Sequence, residues 1–134
     1  MYYTVESDKS FYEACFDLPP VVQRLGFVVL QTQDLSETLR RKEIALDEEC
    51  QIFDVCNFRL LEKLLAIDMK FSLHAPWRIS VYTEDGATRI GILLPAELSV
   101  VSEAPNSKVD DRLQPLLREI QEKLTQIVDA VRKD

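Results

Sequence analysis

The sequence predicts an α+β fold, a two-layer sandwich in which helices pack on one face of a roughly five-stranded, partly antiparallel sheet. Segments rich in β-formers alternate with amphipathic segments in the order β-α-β-α-β-α-β-β-α. An Asp-Gly pair separates two of the β-forming segments, and the chain ends in a long amphipathic helix. Because each helix has one apolar stripe, a single sheet gives all of them a common surface to cover.

The first strand and helix are predicted from the N-terminal residues. Tyr2 to Glu6 is rich in β-formers. Ser10 and Glu13 have the spacing of a capping box, which opens a helix by satisfying free amide donors. Pro19-Pro20 interrupts the apolar period of this helix, so we expect either a kinked helix or two short ones. Gly26 is the predicted C-terminal cap.

The second strand is predicted over 27–32, where a continuous apolar run becomes polar. Asp34 and Glu37 have the spacing of a second capping box, which opens a short helix through about Arg41. An acidic connection follows this helix.

The third strand is predicted over Cys50 to Cys56, although neither of its faces is cleanly apolar. Asn57 is a favourable N-cap for a helix from Phe58 to Ile67. Residues 68–76 are predicted to form a loop.

The last two strands, Trp77 to Thr83 and Thr88 to Leu94, are predicted to form a hairpin because Asp85-Gly86 favours a tight turn between them. A linker is predicted over 97–107, and an amphipathic helix over 110–132. Pro115 lies in the first turn of this helix or kinks its start. We expect one domain over 1–134, with its core in 2–95.

Composition excludes some classes of partner. The chain has 134 residues, a net charge of −7 and a pI of about 4.8. Its one basic cluster, Arg40-Arg41-Lys42, is followed at once by acids, so neither nucleic acid nor an anionic membrane is an expected partner. No signal peptide or membrane span is apparent, and three irregularly spaced cysteines do not suggest disulfides. The expected location is the cytoplasm.

Three segments resemble the domain of unknown function 302 family. They are Ser7 to Ala14 with Leu25-Gly26-Phe27 downstream, Asp54-Val55-Cys56-Asn57, and Ala75 to Tyr82 followed by Asp85-Gly86 and Pro95. The resemblance covers roughly Tyr2 to Pro95. It implies a compact sheet with helices on one side, often assembled as a homodimer, and it implies no activity.

Two positions depart from the family pattern. Members with the cysteine motif commonly carry a second cysteine where this chain has Trp77, and Phe58 replaces a proline after Asn57. A two-cysteine redox or metal site built from those positions therefore cannot form here.

Five residues are candidates for a ligand or thiol site. Cys56 and Asn57 stand at a strand-to-helix junction, where amide donors could lower a thiol pKa; the alternative is that Cys56 is a small buried hydrophobic residue. His74, the only histidine, could pair with Cys56 or could simply be solvated. Trp77 could line an apolar pocket or fill the core, and Arg78 could hold an anion through a bidentate fork.

The residues form no recognisable catalytic constellation and predict no metal site, and they leave the identity of any cofactor unknown. Three glycines are too few for a phosphate-binding loop, and the usual hydrolase and metalloprotease motifs are missing. The preferred hypothesis is a non-catalytic module that binds a small molecule and acts as a homodimer. One alternative is thiol chemistry or metal binding at Cys56. Another is a structural subunit that docks through the C-terminal helix.

Overall fold

The computed structural model of the chain describes residues 1–97 and 111–133. Five strands and four α-helices follow the predicted order: β1 Tyr2–Ser7, α1 Phe11–Arg24, β2 Val28–Asp34, α2 Leu35–Arg41, β3 Cys50–Cys56, α3 Phe58–Ile67, β4 Trp77–Glu84, β5 Ala87–Leu93 and α4 Leu113–Lys133. Short 3₁₀ helices lie at Met69–Leu73 and Pro95–Glu97. None of the helices in these two ranges is long and apolar enough to cross a membrane.

The strands form one sheet in the order β1-β5-β4-β3-β2. All four pairings are antiparallel, so the whole sheet is antiparallel, where the sequence predicted this for part of it. Cross-strand partners share a face: Ile90 lies opposite both Val5 and Val81, and all three side chains are buried. This face packs against the helices and forms the core.

The opposite face of the sheet, termed the uncovered face with respect to the described residues, carries the alternate side chains. On its β1–β5 side it consists of Tyr2, Thr4 and Glu6 with their respective partners Leu93, Gly91 and Arg89. Tyr2 and Leu93 are 69% and 58% exposed. Large apolar side chains therefore remain accessible on this face.

The apolar stripe of helix α4 packs into the core of the chain. Eight of its side chains are buried: Leu113, Leu116, Leu117, Ile120, Leu124, Ile127, Val128 and Val131. Pro115 is the third residue of the helix, within the first turn, as one of the two expectations had it. The predicted linker over 97–107 lies, after its first residue, outside the described residues.

Helix α1 runs without a break through Pro19 and Pro20, so the expectation of two short helices is wrong. Each proline removes a backbone donor, which costs helix stability. However, Leu18, Val21 and Val22 are buried on the inner face around this point. Their packing holds the helix together, which shows tertiary burial overriding a local propensity.

Gly26 ends α1 as expected. The amide of Phe27 donates to Val22 O at 3.0 Å and that of Gly26 donates to Gln23 O at 3.1 Å, which is the hydrogen-bond pattern of a Schellman motif. Gly26 has φ +87°, a conformation that glycine adopts without penalty. The turn directs the chain into Phe27, which is buried.

The β4–β5 hairpin has the predicted turn. Glu84 pairs with Ala87, and the two intervening residues Asp85 and Gly86 have φ values of 52° and 83°. Positive φ at both central positions defines a type I′ turn, which matches the twist of the strands. The segment predicted as a loop over 68–76 instead contains a 3₁₀ helix, because the carboxylate of Asp68 caps it by accepting from Lys70 N at 2.9 Å.

Replacement of Gly26 measures the free-energy cost of placing a side chain on a backbone with positive φ. A Cβ at this position would meet only Asn57 Nδ2, at 3.8 Å, so no steric clash contributes. We expect Gly26→Ala to lower the free energy of unfolding by about 1–2 kcal/mol, because alanine disfavours the left-handed conformation. Gly26→Asn should cost less, since asparagine tolerates it. Urea denaturation measures both; equal losses for the two variants would contradict this account.

Candidate functional site

A cavity of about 380 Å³ lies at one end of the sheet and is termed the end cavity. It opens where β4 begins and β5 ends, beside α3, α4 and the 3₁₀ helix Met69–Leu73. Its volume falls in the usual range for small-molecule sites. Nine of the twelve described residues that line it are apolar.

Helical residues form the inner wall of the end cavity. Leu64 of α3, Phe71 of the 3₁₀ helix and Leu117 of α4 are all buried and line it. Leu73, which is 82% exposed, lies at the rim. From the sequence, Leu64 and Leu117 are ordinary core residues, and only the packing of α3 beside α4 brings them to one cavity.

The sheet contributes the remaining walls. Trp77 is the first residue of β4, follows the cis peptide bond Ala75–Pro76 and is 6% exposed. It packs edge to face on Phe27, with ring centroids 6.3 Å apart. Trp77 therefore belongs to the core and lines the end cavity at once, which joins the two alternatives that the sequence left open.

Within the part of the chain that the structure describes, three polar residues line the end cavity: Asp54, His74 and Arg78. His74 caps the 3₁₀ helix through its backbone N–H, which donates to Phe71 O at 3.0 Å, and its exposed ring lies 6.3 Å from the ring of Phe71. The predicted candidates His74, Trp77 and Arg78 thus line one cavity.

Asp54 is the polar lining residue that sequence reasoning missed. It lies on β3 directly opposite Arg78 on β4, and its Oδ1 is 3.7 Å from Arg78 Nε. Its side chain is only 15% exposed, whereas that of Arg78 is 72% exposed. An acid and a base at cross-strand positions is a recognisable signal, but it requires knowledge of the β3–β4 register.

The Asp54–Arg78 pair is only loosely bonded. A separation of 3.7 Å is too long for a hydrogen bond, and Asp54 Oδ1 is a buried atom with no hydrogen-bond partner among the described residues. The guanidinium of Arg78 likewise makes no hydrogen bond within that part of the chain. No described residue therefore accepts a hydrogen bond from its guanidinium.

The family profile described as "Domain of unknown function DUF302" matches residues 3–131. The chain belongs to the DUF302 family. A crystal structure of a protein from Bacillus stearothermophilus, described as an uncharacterized conserved protein DUF302, is 25% identical, with a TM-score of 0.86 over 98% of each chain. No curated protein matches the chain significantly.

The other two predicted site residues of this DUF302 chain, Cys56 and Asn57, do not line the end cavity. Asn57 caps α3 by accepting from Leu60 N at 3.1 Å, and its Nδ2 donates to Gly26 O, also at 3.1 Å. This side chain therefore joins the start of α3 to the end of α1. Cys56 is fully buried within the core.

Burial raises the pKa of the Cys56 thiol, which opposes the thiolate that thiol chemistry needs. The pKa of Cys15 is raised to about 12, first by burial and then by the neighbouring Asp34, Cys50 and Glu49. Burial is also the main cause that raises the pKa of Cys50. Among the described residues of this DUF302 chain, no group of His, Cys, Asp and Glu could hold a metal ion.

A second depression, of about 820 Å³, lies along the β1 edge of the sheet, and its lining is largely charged. Lys9, one of its residues, already pairs with Asp17 at 2.9 Å and donates to Val131 O at 2.7 Å. Ser7 Oγ donates to Arg132 O at 2.9 Å. The hydrogen bonds to Val131 O and Arg132 O hold the C-terminal end of α4. The ammonium group of Lys9 is already engaged in two contacts.

Alkylation tests the state of the cysteines in this DUF302 chain. At pH 8 the folded protein should react slowly with iodoacetamide at all three positions, because a raised pKa leaves little thiolate. The pKa of Cys15 is raised from 9.0 to about 12, so this residue should hold about a thousandfold less thiolate than an ordinary cysteine. Intact mass should show rapid triple labelling only in guanidinium. Rapid labelling of Cys56 in the folded protein would instead support thiol chemistry there.

Proposed function

We propose that the chain is a non-catalytic module that binds a small molecule in the end cavity and acts as a homodimer. The observation that carries the binding proposal is the end cavity itself, with apolar walls and a few polar groups at one place. Trp77, Arg78 and His74 reach it from β4 and from the segment before β4. This combination of walls and polar groups is typical of small-molecule sites.

Neither alternative hypothesis has comparable support. Thiol chemistry at Cys56 would need an accessible thiolate, and that thiol is buried with a raised pKa. Docking through α4 would need apolar side chains left over after core packing, and eight of them are already buried in the chain's own core.

The homodimer proposal rests on the uncovered face of the sheet. Tyr2 and Leu93 are exposed cross-strand partners there, and a second copy would remove both from water. Arg89 has Glu6 at 3.5 Å and Glu84 at 3.3 Å, so the positive charge of this residue is paired within one chain. This pairing lowers the cost of covering Arg89 with an identical face.

A neutral apolar probe tests binding in the end cavity. Trp77 is the only tryptophan and lines the cavity, so N-phenyl-1-naphthylamine bound there should quench its fluorescence by energy transfer. Leu73→Gln on the rim should weaken binding about fivefold, because about 1 kcal/mol of apolar contact is lost. Phe16→Gln is the matched control: Phe16 is 81% exposed, Leu73 is 82% exposed, and only Leu73 lines the cavity.

Absence of energy transfer in the unmodified protein would overturn the binding proposal. Equal weakening by Leu73→Gln and Phe16→Gln would place the probe outside the end cavity and would also contradict it.

Sedimentation equilibrium tests the homodimer. The unmodified protein should have the mass of two 15.4 kDa chains. Tyr2→Glu should shift it toward the monomer, because a charge replaces an apolar side chain on the uncovered face. Tyr12→Glu should have no effect, since Tyr12 is equally exposed, at 70% against 69% for Tyr2, but lies on α1. A monomer at micromolar concentration would contradict the homodimer.

A further inference from the structure

We infer that the ligand of the end cavity is an organic carboxylate, whose apolar body lies against Trp77 and whose carboxylate pairs with the guanidinium of Arg78. This inference rests on the proposed function, since it names the class of ligand for the same cavity.

Arg78 is the group that a ligand can reach. Its side chain is 72% exposed and makes no hydrogen bond to another described residue. A guanidinium presents five donors in a planar fork, and that fork matches the two oxygens of a carboxylate. A carboxylate at the mouth of the end cavity would therefore fill donors that no described residue fills.

Asp54 does not saturate this guanidinium. Its Oδ1 is a buried atom 3.7 Å from Nε of Arg78, which is too far for a hydrogen bond. The side chain of Arg78 is 72% exposed and that of Asp54 only 15%, so the more accessible charge at this place is positive.

The rest of the end cavity selects an apolar body. Leu64, Phe71 and Leu117 form its inner wall, and none of the three offers a polar side-chain atom. An aryl or alkyl group placed there is removed from water, which is the main source of affinity in such a site. The ligand is therefore amphiphilic, with its charged end near Arg78.

The balance of charge disfavours a dianion. Among the described residues that line the end cavity, Arg78 is the only permanently cationic one, and Asp54 faces it with the opposite charge. Counting Arg78 as +1 and Asp54 as −1, a monocarboxylate brings one net negative charge to the site, whereas a dianion such as a phosphate monoester brings two. The smaller excess costs less in a largely apolar site.

Three ligands with one apolar body test the inference: 3-phenylpropanoate, 3-phenylpropanamide and 3-phenylpropylamine. Each is titrated against protein loaded with N-phenyl-1-naphthylamine, and displacement is followed by the energy transfer from Trp77. The carboxylate should bind about tenfold more tightly than the amide, which corresponds to one charge-assisted hydrogen bond, and the amine should bind least. Added salt should reduce the carboxylate's advantage.

Variants assign that preference to Arg78. Arg78→Gln should weaken carboxylate binding about tenfold and leave the neutral probe unaffected, whereas Arg78→Lys should retain part of the preference, since the charge remains without the planar fork. Arg41→Gln is the matched control, because Arg41 is 77% exposed, pairs with Glu37 at 3.1 Å and does not line the end cavity. It should behave as the unmodified protein does.

The outcomes separate the two proposals. Displacement of the probe by the amide or amine as readily as by the carboxylate, or an unchanged carboxylate affinity in Arg78→Gln, would overturn the carboxylate inference and leave the end cavity as a binding site. Failure of all three compounds to displace a bound probe would overturn it as well. Failure of the probe itself to bind would overturn the proposed function.

Discussion

The site depends on the register of the β4–β5 hairpin. Its type I′ turn at Asp85-Gly86 sets Glu84 opposite Ala87, and every later pair follows from that one. Because side chains alternate along a strand, this register turns Trp77 toward the helices and Arg78 to the other side. A slip of one residue would expose Trp77 and place the charge of Arg78 against the core, at a large cost in desolvation. The end cavity lies beside the first residues of β4, where Trp77 from one side of the strand and Arg78 from the other both line it.

Most of the fold could be predicted because each element carries its own local signal. The capping box at Ser10, the N-cap at Asn57 and the Asp-Gly turn are short-range interactions, and all three form in the structure. Pro19 and Pro20 do not divide α1 into two helices because their cost is local, whereas the packing that offsets it comes from the sheet and from α4. The capping function of Asp68 in a supposed loop was missed for a different reason: a single helical turn has no periodicity to detect.

The site could be predicted only in part, because it is a product of strand order and helix packing. His74, Trp77 and Arg78 are close in sequence, and they do line one cavity. Asp54 comes from β3 and Leu117 from α4, and neither has a sequence signal of its own. The sequence also indicates Cys56 and Asn57 as candidates, because they stand at a strand-to-helix junction. At this junction the side chain of Asn57 accepts a hydrogen bond from α3 and donates one to the end of α1, and the thiol of Cys56 is buried in the core.

The binding and homodimer proposals meet at Leu93, which belongs both to the end cavity and to the uncovered face. A second copy seated on that face would lower the effective dielectric around the rim, where Arg78 is now 72% exposed. A charge pair between Arg78 and a ligand carboxylate gains strength as water is removed, provided that its hydrogen bonds are made. Ligand binding and dimerisation would then favour each other by the same factor, as linkage requires. A monomer with an intact end cavity should therefore bind the same ligand more weakly than the dimer does.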